Sequence, residues 1–72
     1  MTEQKIVEIL EDKEYAVELS WLTHAVKATK PNCAPIVALE SGSPTGYTFH
    51  VGKNQLTDLN DAINFSKRRI TD

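Results

Sequence analysis

Apolar residues recur every three or four positions at both ends of the chain and every second position in between. Ile6, Ile9 and Leu10 have helical spacing. Thr2 stands where a capping hydroxyl is wanted, and Glu3 falls in the first turn, where the helix dipole favours an acid. The charged run EDKE, Glu11 to Glu14, interrupts the stripe and ends this predicted helix. Near the other end, Leu59, Ile63 and Ile70 lie close to one stripe, with Ala62 and Phe65 beside it. They predict a second helix with Thr57 as cap, Asp58 in its first turn, and Lys67, Arg68 and Arg69 in its last.

Between these helices the period changes. PIVALE and GYTFHV are rich in β-branched and aromatic residues, and SGSPT joins them. Such runs about a short Gly/Ser/Pro connection predict a hairpin with strands at 36–40 and 46–51. Tyr47, Phe49 and Val51 would face one way, Thr48 and His50 the other, and Gly52 and Asn54 would end the second strand. Residues 14–29 carry two patterns at once. YAVELSW alternates Tyr15, Val17, Leu19 and Trp21 with Ala16, Glu18 and Ser20, a strand signature, yet Tyr15, Leu19, Leu22 and Val26 also share a helical face. The Ala, Glu, Leu and Lys content, with Asp12 as a cap, tips this segment toward helix.

These elements give an α+β architecture over residues 1–72, read as one domain. A small antiparallel sheet contains the 36–40/46–51 hairpin, with 15–21 as a third strand on the strand reading. The N-terminal and C-terminal helices pack on its apolar face. Leu10, Leu19, Leu22, Val37, Leu39, Phe49, Leu59 and Ile63 are the expected core.

A competing pattern runs through residues 22–36. Leu22 and Val26 could face inward from one helix, Ala28 could sit in a turn, and Cys33 and Ile36 could face inward from a second helix. Thr29 would cap that second helix and Pro31 would lie in its first turn. ATKPN resembles the turn and entry of helix-turn-helix regulators, with the hairpin as a wing. Pro35 opposes this arrangement. It would lie inside the recognition helix, where proline costs about 3 kcal/mol. Lys27 also stands where the turn usually has glycine. Residues 30–35 are therefore read as a loop and 36–40 as a strand.

Composition narrows the functional classes. Seventy-two residues bury a small core, and one cysteine, Cys33, leaves no disulfide to brace it within the chain. Dimerisation would be one supplement. A lone cysteine, an N-terminus without a signal-peptide pattern and no long apolar run fit a cytoplasmic protein. The net charge is −2, but residues 1–18 hold two lysines against six acids, net −4, and residues 19–72 hold six cations against four acids, net +2. Phosphate binding needs local positive charge, so the total weakens a nucleic-acid function without removing it.

The candidate chemistry is sparse. His24, Cys33 and His50 supply reactive side-chain types but no nucleophile–base spacing, and they are too few and too scattered for a zinc site. GYTFHVGKN lacks the glycine spacing and the hydroxyl residue of a phosphate-binding loop. No enzyme, metal or cofactor is expected. The expectation is a small non-catalytic protein that binds a macromolecule, most readily a protein, and regulates or inhibits it. Small proteins of this size class are typical of phages and mobile elements. Contact would fall on the hairpin tip, Ser43, Thr45 and Tyr47, with Trp21 if exposed. The alternative is a DNA-binding regulator using Lys27, Lys30, Asn32, Lys53, Lys67, Arg68 and Arg69.

Overall fold

The computed structural model describes residues 2–20, 22, 25–42 and 46–68. Their order is α1 (Glu3–Asp12), β1 (Ala16–Ser20), β2 (Ala25–Thr29), β3 (Ile36–Glu40), β4 (Tyr47–Val51), β5 (Asn54–Leu56) and α2 (Leu59–Lys67). The five strands form one antiparallel meander in sequence order. Both helices pack on the sheet, α1 against β1 and β2, α2 against β3, β4 and β5. This is the expected α+β arrangement, with a larger sheet than the sequence suggests.

Helix α1 begins as expected, with the Thr2 hydroxyl accepting from the Lys5 amide at 3.2 Å. Its end is built from backbone. The Tyr15 amide donates to the Leu10 carbonyl at 3.0 Å and the Glu14 amide to the Glu11 carbonyl at 2.9 Å. Glu14 adopts φ 69°, which makes this a Schellman stop with glutamate in the position that usually holds glycine. Leu10 and Tyr15 supply its buried apolar contact. After that reversal the period-two pattern of residues 15–20 prevails as β1. The helical reading of 14–29 is thereby corrected: the segment holds β1 and β2, with Leu19 opposite Val26 and Val17 opposite Ala28.

The helix-turn-helix pattern is also absent, since residues 25–29 are a strand and 30–35 contain no helix. KPNC instead makes a tight turn. The Cys33 amide donates to the Lys30 carbonyl at 3.1 Å, and Asn32 has φ 65°. Proline followed by a left-handed Asn is the signature of a type II turn. Pro35 immediately precedes β3, a central strand, and takes no place in its ladder.

The 36–40 strand forms as predicted, and its partner begins one residue late, at Tyr47. Gly52 and Asn54 do not end the sheet. Val51 pairs with Asn54 across a two-residue turn at Gly52 and Lys53, where Gly52 has φ 61°. Glycine first in a two-residue hairpin loop matches the strand twist, and β5 follows. Helix α2 is capped by Asp58, whose carboxylate accepts from the Asn60 amide at 3.2 Å, so Thr57 is not the cap. Leu59, Ala62, Ile63 and Ser66 form its buried stripe, and Ile70 lies outside the described residues.

The register sorts the core. On the helix-covered face, Val26, Ala38 and Phe49 lie in one row, and Ala28, Ile36 and Val51 in the next. All six are buried. The small Ala28 and Ala38 lie between larger residues and leave room for the helices. Leu10, Phe49, Leu59 and Ile63 are core residues as expected. Val37 and Leu39 are not, because strand parity turns them to the other face, where they are half-buried. Leu19 is 53% exposed at the sheet edge and Leu22 is 79% exposed after it, so neither is core.

Candidate functional site

Both helices lie against the face that holds the buried core, and the opposite face carries neither among the described residues. Across its middle runs the row Glu18, Lys27, Val37, His50, Gln55, set by the register of all five strands. Leu39 and Thr48 are paired on the same face, one step along. Val37, Leu39, Thr48 and His50 are half-buried by their neighbours, whereas Glu18, Lys27 and Gln55 are exposed. The result is an apolar centre with a carboxylate and an ammonium on one flank and hydrogen-bonding groups on the other. A depression of about 210 Å³ lies beside this row, lined by Glu18, Leu19, Ser20, Ala25, Lys27 and Val37. Beyond Leu39, the Thr48 hydroxyl donates to the Ser41 hydroxyl at 2.8 Å, tying the strand to the entry of its loop.

Two further side-chain groups lie at the ends of the sheet. At one end, Tyr15 donates to Ser66 Oγ at 2.9 Å, and Ser66 Oγ in turn donates to the Ala34 carbonyl. The Ala34 amide donates back to the Ser66 carbonyl at 3.2 Å. Burial raises the Tyr15 pKa, neighbouring Cys33 adds to the rise, and the Ser66 bond partly offsets it. Lys30 Nζ lies 5.6 Å from the centre of the Tyr15 ring and donates to the Lys13 carbonyl at 3.0 Å. Each hydrogen bond here locks a helix end or a loop to the sheet, which is a structural role. At the other end, an open cleft lies between Thr2 and Glu3 of the α1 start and Glu40, Ser41, Gly46 and Tyr47 of the hairpin. Burial, then Glu40 and Glu3, raise the Tyr47 pKa.

The predicted contact residues fare unevenly. Trp21, Ser43, Thr45 and Arg69 lie outside the described residues. Tyr47 lies in the core. It is 7% exposed, its ring 6.4 Å from Phe49 on the helix-covered side, because its strand parity matches that of Phe49 and Val51. It is a core residue that also lines the cleft. Of the residues expected to contact nucleic acid, Lys30, Asn32, Lys53, Lys67 and Arg68 come to the end of the sheet where both helices terminate. Lys27 stands apart on the open face. Lys30 is engaged by the Lys13 carbonyl and by Glu14 at 4.0 Å. Among the described residues no three His, Cys, Asp or Glu side chains converge to hold a metal, and no helix is long and apolar enough to cross a membrane.

Sequence reasoning placed Val37 and Leu39 in the core and did not single out Glu18 as part of a site. The alternation of PIVALE was visible, but the parity that faces the helices was not, because both Ile36 and Val37 are good core residues. No family model, curated protein or solved structure matches the chain.

Proposed function

We propose that this chain is a small non-catalytic binding module that recognises a protein through the open face of its sheet and regulates or inhibits that protein. The observation that carries this reading is the half-buried pair Val37 and Leu39 at the centre of a face that carries no helix among the described residues, flanked by Glu18, Lys27 and His50. An apolar centre with a polar rim is the anatomy of a protein interface. Charges of both signs beside it favour a partner with its own mixed surface over a uniformly charged polymer. The network at Tyr15 and Ser66 is spent on holding the fold together, which supports binding over chemistry.

The test is capture from a lysate of the cells that encode the chain, comparing wild type with Leu39→Glu and Val37→Lys. Both side chains lie on the open face, so the variants should fold. A protein retained by wild type and lost by both variants supports the proposal. Enrichment of no protein, or of one that both variants retain, overturns it.

A second reading is phosphate binding by the end that gathers Lys30, Lys53, Lys67 and Arg68. Their grouping favours it. The C-termini of α1 and α2 at the same end oppose it, since helix carbonyl ends repel anions, as do Asp12 and Glu14. It requires duplex DNA to be shifted at low salt, with affinity falling steeply as salt rises. No shift at low salt dismisses it.

A further inference from the structure

Strand β1 is an outer strand, paired with β2 on one side and with no strand on the other among the described residues. An unpaired edge is a template for another strand, and sheets that stay single blunt it by short length, charge, proline or a cover. The opposite edge is blunted: β5 has three residues, of which Asn54 and Gln55 are polar and exposed. β1 is not. It has five residues, no proline and one charge, and Ala16, Glu18, Leu19 and Ser20 are all exposed. An isolated exposed leucine is ordinary. Here Leu19, on this bare edge, and Leu22, just past its end, are the exposed large hydrophobics among the described residues.

We propose that β1 pairs antiparallel with β1 of a second copy, about a two-fold axis that passes through Leu19 perpendicular to the sheet. The side chains select both occupant and register. A two-fold contact must be self-complementary. With the axis through Leu19, Leu19 meets its own counterpart and Glu18 falls opposite Ser20 of the second copy, so no carboxylate opposes another. An axis through Glu18 would set the two carboxylates directly opposite, which is destabilising. Leu19 lies on the helix-covered side. Because the axis is perpendicular to the sheet, it keeps the helices of both copies on one side and joins the two open faces into one continuous surface. A five-residue edge buries less than the ~800 Å² per partner of a standard interface, so the dimer is reversible and concentration-dependent. This pairing does not depend on what binds the open face.

Sedimentation of the wild type over micromolar to millimolar concentrations, beside Leu19→Lys, tests it. The wild type is expected to pass from one chain to two as concentration rises. Leu19→Lys, which sets cation against cation at the axis, is expected to stay single throughout with unchanged circular dichroism. A mixed sample of labelled and unlabelled wild-type chains should show inter-chain nuclear Overhauser effects at Leu19, and this readout stands even if the variant fails to fold. A wild type that is single at every concentration overturns the proposal. So does a dimer without inter-chain contacts along β1.

Discussion

Ser66 is fully buried, and its hydroxyl joins three parts of the chain: Tyr15 at the start of β1, Ala34 in the loop before β3, and its own helix. Replacing it with alanine leaves the Tyr15 hydroxyl and the Ala34 carbonyl without this partner in a largely buried site. Ser66→Ala should therefore lower stability by about 1–3 kcal/mol, measured as a lower urea midpoint. Glu14 works the other way. Its φ of 69° strains any residue with a Cβ, and its pairing with Lys30 at 4.0 Å is exposed and weak. Glu14→Gly should stabilise by about 0.5–1 kcal/mol once the extra chain entropy of glycine is set against the relieved strain. Thermal unfolding checks this, and a lower midpoint would count against the Schellman assignment. Tyr15 and Tyr47 are both raised above the ordinary 10.0, mainly by burial. The folded chain thus keeps these protons to higher pH than the unfolded chain. Their contribution to stability is whole below pH 10 and is lost as pH rises through the folded values. Tyrosinate absorbance of the native chain should lag behind that of the denatured chain, and coincident titrations would contradict the burial of both rings.

At the scale of elements, two turns depend on specific residues. A Cβ on Gly52 would meet nothing within 4 Å, so alanine there tests backbone alone. With φ at 61°, Gly52→Ala should cost about 1 kcal/mol, read from the urea midpoint. Asp58→Ala should cost about 1 kcal/mol through the lost cap of α2, read the same way. Both helices and the central hairpin were legible in the sequence because each combines a strong period with a clear stop. The first two strands were not, since YAVELSW fits both periods and its alanines and glutamate have helical propensity. What decides the matter is the left-handed Glu14, and nothing in a glutamate announces that conformation. The last strand was hidden because Gly52 reads equally as an end or as a turn. The loop at 30–35 and the strand at 36–40 were legible because Pro35 opposes a helix there, and the competing helix-turn-helix pattern is excluded by β2.

At the scale of the molecule, the helices cover one face of the sheet and, among the described residues, leave the other open, and that open face was the least legible feature of the sequence. Val37 and Leu39 look like core residues in any local window. Only the pairing of β3 with β2 and β4, which sends Ile36 and Ala38 under the helices, turns them outward. Tyr47 shows the same parity in reverse, promising surface and delivering core. The proposed docking surface is this open face. Amide chemical-shift mapping of the labelled chain, titrated with the captured partner, tests it most directly. The predicted result is shifts concentrated at Glu18, Lys27, Val37, Leu39, Thr48 and His50, with the outward positions of α1 and α2 undisturbed. Shifts confined to the helices or to the loops at either end of the sheet would contradict it.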